Sequence, residues 1–311
     1  METVKNGSGD HGQRFLCKDC HKRFRLKDFK KESEYEHIWN EFVFSKQTLR
    51  ELSDIFTYTK KQLQRIFEGI ILKQKVHKPR DVHLVVDATY FGQKETKLWG
   101  VLVFRDQYNK ENLWWKFIDE ERIIHYKEGT GSLISLGYTI LSVICDGFNG
   151  LPELFSPIPV QFCHFHQAQI VRRYTTQNPK IVAGHELLEL VKTLTFTTEK
   201  VFEHRLSIFV DKYRDFLNEK TINPFTGESF YTHKKLRSAV RSLQIHIHML
   251  FTFERFPLLH IPTTTNTLES HFSHIKDVVR IHRGLSLSLK QKMIHTILLN
   301  SSIVLNPKRI D

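Results

Sequence analysis

The first periodic segment of the chain lies between residues 44 and 71, where apolar residues recur at helical spacing in two short runs. A break at Thr57-Tyr58-Thr59 separates the runs. Ser45 is a candidate N-cap for the first predicted helix, and Thr59 for the second. Two short helices joined by a tight turn are typical of a DNA-binding helix-turn-helix; the alternative is a plain helical hairpin in a linker. The polar face of the second helix carries the candidate DNA-binding residues Lys60, Lys61, Gln64 and Arg65.

From residue 83 the pattern changes to short runs rich in β-branched and aromatic residues, which predict strands. These runs span residues 83–91, 98–104, 113–118, 138–146 and 160–163. A polar turn between residues 106 and 112 suits a hairpin, and a helical stretch near 131–137 precedes the fourth strand. Three meandering strands, a helix and two further strands with helical crossovers are the element order of an RNase H-like α/β sheet.

Residues 167–256 follow an almost purely helical pattern. One amphipathic stripe has gaps of four and three residues and consists of Phe202, Leu206, Phe209, Tyr213 and Phe216. A turn is predicted at 223–228 and another long helix at 233–253. We expect this part of the chain to be all-helical, and a last helix to begin near Glu269, after Pro257 and Pro262.

The charge of the chain narrows the class of its partner. Its 311 residues include 46 Lys and Arg against 34 Asp and Glu, a net charge of +12, which favours polyanions such as nucleic acid or an anionic membrane surface. No uninterrupted apolar run reaches about 18 residues, and no apolar core of a signal peptide is present at the N-terminus. We therefore expect a nucleic-acid partner and no membrane partner.

The four cysteines indicate a reducing compartment rather than a disulfide framework, so we expect a cytoplasmic protein. Cys17 and Cys20 have the spacing of a zinc knuckle, and an aromatic residue, Phe24, follows them. A structural zinc ion needs four ligands, and the second Cys pair is missing. Only His11 and His21 lie nearby, at a spacing that fits no standard arrangement. The segment is therefore interpreted as half of a zinc ribbon, with Cys17 and Cys20 as candidate zinc ligands.

Three carboxylates stand at the ends of diagnostic segments. Asp87 lies in the first predicted strand, Asp146 ends the fourth immediately before Gly147, and Glu269 begins the last helix. Carboxylates at the rim of a sheet can converge on two Mg²⁺ ions about 3.5–4 Å apart, which stabilise the attacking and leaving oxygens of phosphodiester chemistry. Asp87 would bridge the ions, with Asp146 and Glu269 each completing one side. The alternative is that isolated acidic residues simply form turns.

Four motifs occur in order along the chain: Val85-Val-Asp87-Ala-Thr-Tyr-Phe91, Cys145-Asp146-Gly147, Cys163-His-Phe-His166-Gln and Asn266-Thr-Leu-Glu269. This set resembles the D-D-E transposases of bacterial insertion sequences, and in particular the Mutator-like group, in which a Cys-x-x-His pair follows the second Asp. That group carries a helical insertion between the second Asp and the Glu, and residues 167–256 resemble this insertion. The run around Cys17 and Cys20 is similar to the second half of a zinc ribbon found in one variant, and the first half is expected to be missing.

The resemblance implies Mg²⁺-dependent cleavage and strand transfer, with Mn²⁺ able to substitute, on double-stranded DNA that carries terminal inverted repeats. It also implies a bacterial, nucleoid-associated homo-oligomer. The implied metal-binding catalytic residues are Asp87, Asp146 and Glu269, and the supporting residues are Cys163, His166 and Asn266. Basic residues after Glu269 are candidate DNA-backbone contacts, with a solvated helix face as the alternative: Lys276, Arg280, Arg283 and Lys290.

The expected architecture has five segments, namely 1–30 as a partial zinc ribbon, 31–78 as the helix-turn-helix, 79–166 as the first part of an RNase H-like catalytic domain, 167–256 as an all-helical insertion and 257–311 as the final catalytic helix with the C-terminal segment. Two alternatives to a transposase remain. One is an RNase H-like nuclease without strand transfer, and the other is a non-catalytic DNA-binding relic that acts as a repressor.

Overall fold

Two units make up the described chain, which covers residues 2–9, 12–25, 29–92 and 98–300 of a computed structural model. The first unit comprises the described residues up to Lys73 together with Asp277–Ile297, and the second comprises Gln74–Lys276 with residues 298–300. The structure is mixed α/β. The described part of the predicted last segment 257–311 is divided between the two units, because Asp277–Ile297 pack with the N-terminal helices.

The first unit begins with a small antiparallel sheet, in which β2 pairs with both neighbours. Its elements are β1 (Thr3–Gly9), β2 (Gly12–Cys17), β3 (Arg23–Arg25), α1 (Phe29–Phe44), α2 (Leu49–Ile55) and α3 (Lys60–Gly69). The predicted pair of short helices is thus confirmed as α2 and α3, and a third helix, α1, precedes them.

The caps of α2 and α3 explain where these helices begin. Thr48, and not the predicted Ser45, is the N-cap of α2, because its hydroxyl accepts from the Glu51 amide at 3.3 Å while Glu51 accepts from the Thr48 amide. The Ser45 hydroxyl instead donates to Glu41 at the end of α1. Thr59 caps α3 as predicted, in a second capping box with Gln62. The predicted polar face is confirmed as exposed at Lys60, Lys61, Gln64 and Arg65.

Buried aromatic side chains form the core of this unit. The Phe42 ring lies 4.7 Å from that of Phe67 and 4.1 Å from that of His282, and Trp39 packs edge-on against Phe67 at 5.1 Å. The Trp39 Nε1 donates to the Thr296 hydroxyl at 3.1 Å, so the N–H group of this buried indole has a hydrogen-bond partner. Residues from the far end of the described chain therefore complete a core begun by α1 and α3.

The second unit is built on a five-stranded mixed sheet whose strand order is β6-β5-β4-β7-β8. Its strands are β4 (Asp81–Phe91), β5 (Trp99–Asp106), β6 (Glu111–Ile118), β7 (Thr139–Cys145) and β8 (Val160–Phe162), which confirms the five predicted strands to within a few residues. The first three form an antiparallel meander, and β4, β7 and β8 run parallel. Such a parallel pair requires a crossover connection.

The crossover helix between β6 and β7 is α4 (Ile123–Ser135), which starts earlier than the predicted stretch near 131–137. Gly129 and Gly131 lie inside this helix, and because glycine disfavours helices the sequence pattern did not indicate where α4 begins. A Cβ at Gly129 would lie 2.8 Å from the rings of Phe104 and Trp114, so glycine permits close packing of α4 on the sheet.

The remaining helices are α5 (Leu151–Phe155), α6 (His164–Thr175), α7 (Val182–Lys192), α8 (Glu199–Lys212), α9 (Arg214–Asn218), α10 (Lys234–Leu250), α11 (Thr252–Arg255), α12 (Asn266–Ile281) and α13 (Leu287–Leu299), with 3-10 turns at Thr193–Phe196 and Pro257–Leu259. The predicted amphipathic stripe is confirmed on α8, where Phe202, Leu206 and Phe209 are buried. None of the helices in the described ranges is both long and apolar enough to cross a membrane.

The expectation that residues 167–256 are all-helical is wrong at one place. β9 (Lys220–Ile222) and β10 (Ser229–Tyr231) form an antiparallel hairpin around the predicted turn at 223–228. The Asn223 Oδ1 accepts from the amides of Phe225 and Thr226, and Gly227 adopts a φ of +71°. Each strand has only three residues, too few for a periodic pattern to indicate it.

Lys292 provides a test of the packing within the first unit. Its ammonium donates to the carbonyls of Glu68 at 2.6 Å and Ile70 at 2.9 Å, which caps the C-terminal end of α3. We expect Lys292→Met to lower the free energy of unfolding by about 1–3 kcal/mol, because these carbonyls lose a charged donor. Urea unfolding followed by circular dichroism measures the change. Lys290→Met is the matched control, and equal stability of the two variants would contradict the assignment.

The buried histidines predict how stability depends on pH. Burial lowers the pKa of His83, whose Nδ1 lies 2.7 Å from the Ser142 hydroxyl, so the folded state binds its proton less readily than the unfolded state. The contribution of His83 to the free energy of unfolding is therefore complete above its unfolded pKa of about 6.5 and declines as the pH falls below it. We expect the stability difference between wild type and His83→Gln to shrink from pH 7.5 to pH 5.5. The exposed His204→Gln is the control; a constant difference for His83→Gln would refute the prediction.

Candidate active site

The pairing of β4 with β7 places two of the predicted carboxylates side by side. Val85 of β4 is opposite Ile144 of β7 in parallel register, and the same register continued by two residues brings Asp87 level with Asp146. Each carboxylate is oriented by a backbone amide: Ala88 donates to the Asp87 Oδ1 at 2.8 Å, and Phe148 donates to the Asp146 Oδ1 at 3.0 Å. Two acidic side chains therefore meet at the edge where β7 ends.

The Asp-Gly dipeptide at the end of β7 has a local physical reason. Gly147 adopts a φ of +89°, a conformation that L-residues rarely take, and a Cβ there would lie 3.0 Å from the Phe162 ring. Glycine thus turns the chain immediately after Asp146 and leaves that carboxylate half-buried at the strand end.

Helix α12 brings the third predicted carboxylate, Glu269, to the same place through His166. The His166 Nε2 lies 2.8 Å from the Glu269 Oε1 and 4.0 Å from the Asp87 Oδ2. One ligand atom from each of Asp87, His166 and Glu269 falls within 4.8 Å of the others. Among the described residues, Asp146 is not a member of this group. Its negative charge nevertheless raises the pKa of Asp87.

The electrostatics of the group follow from burial and like charge. Burial raises the pKa of Asp87 to about 7, His166 opposes the rise, and the carboxylates of Asp146 and Glu269 add to it. Burial lowers the pKa of His166, but interaction with Cys163 and with the two carboxylates outweighs this and raises it to about 9. A positive charge between Asp87 and Glu269 is therefore strongly favoured.

The donor set fits a divalent cation. Asp87 and Glu269 offer hard carboxylate oxygens, which suit Mg²⁺ or Mn²⁺. His166 can offer an imidazole nitrogen only after it loses the proton that its raised pKa of about 9 favours. The buried Asp87 carboxyl, whose pKa is raised, would be stabilised as a carboxylate by such a charge. His166, predicted only as a supporting residue, lies among the candidate ligands.

Cys163 positions the helix that carries Glu269. The thiol is 1% exposed, its sulfur accepts from the Thr265 amide at 3.3 Å, and it lies 3.2 Å from the Thr265 hydroxyl. Beside it, the His164 amide donates to the Thr263 carbonyl at 2.9 Å. One turn later, the Glu269 amide donates to the Thr265 carbonyl. These contacts fix the start of α12 beside β8, and the supporting role of Cys163 at the active site stays a prediction.

A buried polar network missed in the sequence fixes the same helix from the other side. The Asn112 amide nitrogen donates to the His271 Nε2 at 3.0 Å and to the Leu298 carbonyl at 3.1 Å, while its oxygen accepts from Arg105 at 2.7 Å. Burial lowers the pKa of His271 to about 3, so the imidazole is neutral and can accept this bond. Asn112 is a buried polar residue of β6, and nothing in the sequence indicates its burial or its distant partners.

A fourth carboxylate was also missed. Burial raises the pKa of Glu121, and the negative charge of Asp146 raises it further. The Tyr126 hydroxyl donates to the Glu121 carboxylate and lowers this pKa in part. Glu121 lies in the loop before α4, outside any motif, so the sequence offered no signal for its place near Asp146.

The other predicted residues lie outside this group. Asn266 is exposed at the first position of α12, and Lys276, Arg280 and Arg283 are exposed on or just after that helix. Arg280 pairs with Asp277 at 3.1 Å. Lys290 is half-buried on α13. Arg65 of α3 lines a surface pocket that it shares with Glu32 and Glu36.

Cys17 and Cys20 form a compact turn. The Cys20 amide donates to the Cys17 thiol and lowers its pKa, as a knuckle requires. In the described ranges no third His, Cys, Asp or Glu completes a metal group with them, and His11 lies outside these ranges. Two sulfurs alone do not fit a structural zinc site.

No protein-family model matches the chain, and no curated protein sequence matches it either. Inference about function therefore starts from the geometry of the site.

The role of Cys163 can be measured locally. We expect Cys163→Ala to accelerate hydrogen exchange at the Thr265 amide, because a buried donor loses its acceptor at a cost of about 1–3 kcal/mol. Cys163→Ser retains an acceptor and should restore much of the protection. Cys145→Ala, which removes another buried thiol, is the control. Unchanged exchange at Thr265 in Cys163→Ala would show that the thiol does not position α12.

Proposed function

We propose that this chain is a Mg²⁺-dependent DNA transposase of the D-D-E type, similar to the Mutator-like group of bacterial insertion sequences. In this proposal the five-stranded sheet and α12 belong to an RNase H-like catalytic domain, and residues 167–256 are a mainly helical insertion in it. Its partners are double-stranded DNA with terminal inverted repeats, target DNA and a second copy of the chain.

The arrangement of the sheet supports the proposed fold. An antiparallel meander is followed by two parallel strands, and the central strand β4 lies between the two halves. Asp87 is on that central strand, Asp146 follows the neighbouring parallel strand, and Glu269 is on a helix far along the chain. This is the order in which an RNase H-like site distributes its carboxylates.

The observation that carries the proposal is the convergence of Asp87 and Glu269. Four strands of the sheet and the whole of residues 167–256 separate them in sequence, yet one ligand atom of each lies within 4.8 Å of the other and of His166. Burial of Asp87 beside other carboxylates has a cost in stability, and groups of this kind are concentrated at functional sites.

The chemistry assigns distinct tasks to these residues. Bound divalent ions would supply an activated oxygen nucleophile and charge stabilisation at phosphorus. Asp87, Asp146 and Glu269 would bind the ions, and His166 would orient Glu269 toward Asp87. In the first reaction water attacks phosphorus and the bond to the 3′-oxygen breaks, which leaves a 3′-hydroxyl. In the second, that hydroxyl attacks a target phosphodiester, one P–O bond forms and another breaks.

The first unit would supply DNA binding. α2 and α3 are the short capped pair typical of a helix-turn-helix, and the exposed face of α3 carries Lys60, Lys61 and Gln64. The net charge of +12 favours association with DNA before any specific contact forms.

The decisive experiment maps nicks on DNA that carries the inverted repeats flanking the gene. We expect wild type in Mg²⁺ to cut at the repeat ends, and Asp87→Asn, Asp146→Asn and Glu269→Gln to lose at least about a hundredfold in rate, since metal binding provides several kcal/mol of transition-state stabilisation. Asp81→Asn, an exposed carboxylate at the other end of β4, is the matched control and should cut normally.

Joining of a labelled repeat end to plasmid separates strand transfer from hydrolysis. Nicks without joining would indicate a nuclease on the same fold. Binding without nicks in Mg²⁺ and in Mn²⁺ would overturn the proposed activity and favour a DNA-binding repressor.

A further inference from the structure

A basic cavity of about 650 Å³ lies in the helical part of the second unit, among α8–α10 and the β9–β10 hairpin. Four cationic side chains line it, and no Asp or Glu does: the four are Arg214, Lys234, Arg237 and Arg241. Arg214 pairs with Asp211 at 2.6 Å. Within the described ranges the other three form no ion pair, so their charges are not neutralised by the protein. This is unusual for a cluster of cations in a cavity, since like charges repel.

Arg237 is positioned by neutral groups alone. Its Nη1 donates to the Asn218 Oδ1 at 2.7 Å and to the Leu217 carbonyl at 3.2 Å, and its guanidinium carbon lies 3.8 Å from the centre of the Tyr231 ring. A half-buried guanidinium with these partners keeps its full charge and loses little further conformational entropy when it binds an anion. The geometry is that of a prepared anion-binding group.

The other cations extend the site along α10. Lys234, Arg237 and Arg241 follow one another at intervals of three and four residues, so they share one face of the helix. The opposite face buries Leu236, Leu243 and Leu250 in the core. The row of cations is about 10 Å long. It is therefore longer than one phosphate group and suits an extended polyanion.

The hairpin contributes Tyr231 to the lining of the cavity and places Phe230 beside it in sequence. The Lys234 ammonium lies 4.4 Å from the centre of the Phe230 ring, and that of Lys220 lies 5.4 Å from the centre of the Tyr231 ring. Phe225, in the turn of the hairpin, is 95% exposed. Cations with aromatic side chains beside them are the combination that binds nucleic acid, through phosphates and through bases.

We propose that this cavity binds the phosphate backbone of the DNA substrate, with Lys234, Arg237 and Arg241 as the phosphate contacts. The inference rests on the proposed function for the identity of the polyanion. It assigns a DNA-binding surface to residues 167–256, separate from α3 and from the carboxylate group.

The test measures fluorescence anisotropy of a labelled 30-base-pair duplex with the full chain at several KCl concentrations. We expect Lys234→Gln/Arg241→Gln to reduce the slope of log Kobs against log [KCl] by about two, since each phosphate contact contributes about 0.9, and to weaken binding about tenfold at 0.1 M salt. Arg237 is left intact because it also fixes the residues before the hairpin. Circular dichroism and urea unfolding establish that the variant folds as wild type does.

Lys127→Gln/Lys200→Gln removes the same charge at two exposed positions outside the cavity and is the matched control. A slope equal to that of the control would overturn the proposal. So would equal displacement of the duplex from wild type and from the cavity variant by millimolar inorganic phosphate at constant ionic strength, because the cavity cations would then not contact the DNA phosphates.

The nicking assay on the same duplexes separates the two proposals. Cutting by wild type together with a slope that the cavity variant leaves unchanged overturns the cavity alone. If the cavity variant has a smaller salt slope than wild type but wild type never cuts, the cavity is supported as a DNA-binding surface. The proposed cleavage reaction is then overturned.

Discussion

The parallel pairing of β4 with β7 is the constraint on which the candidate active site depends. Because the two strands run in the same direction and in a fixed register, the position of Asp87 determines which residue of β7 stands beside it. A shift by one residue would turn one of the two carboxylates to the opposite face of the sheet. The buried apolar residues on both faces of β4 resist such a shift, so the hydrophobic core and the acidic group are set by the same hydrogen-bond ladder.

The site combines unfavourable electrostatics with a rigid frame of neutral hydrogen bonds. Asp87 is buried beside other carboxylates, which by itself destabilises the folded state, and the nearest compensating group is His166. The groups that fix α12 carry no such conflict: the Cys163 thiol accepts from Thr265 on one side, and Asn112 donates to His271 on the other. The start of α12 is thereby fixed by contacts of neutral groups, and the contact of His166 with the Glu269 Oε1 then brings that carboxylate toward Asp87.

The sequence was informative where structure follows from local pattern and silent where it follows from distant contacts. The five strands, the cap at Thr59 and the stripe on α8 follow from β-branched runs, hydroxyl capping and helical spacing, and the structure confirms them. Ser45 is wrong as the predicted N-cap of α2, because its hydroxyl donates to Glu41 in α1 and Thr48 caps the helix instead. The Arg105–Asn112–His271 network joins residues far apart in the chain, so no window of sequence contains it. The grouping of His166 with Asp87 and Glu269 has the same origin.

The excess of positive charge illustrates a further difference between composition and structure. A net charge of +12 states only that a polyanion is favoured, since it counts cations without their partners. In the structure many lysines and arginines are paired: Lys212 lies 2.7 Å from Glu186, and Arg280 3.1 Å from Asp277. The cations beside Tyr231 and Phe230 contact rings and neutral oxygens instead, and a ring attracts a cation without cancelling its charge. The partner of each cation is therefore more informative about a binding surface than the total number of cations.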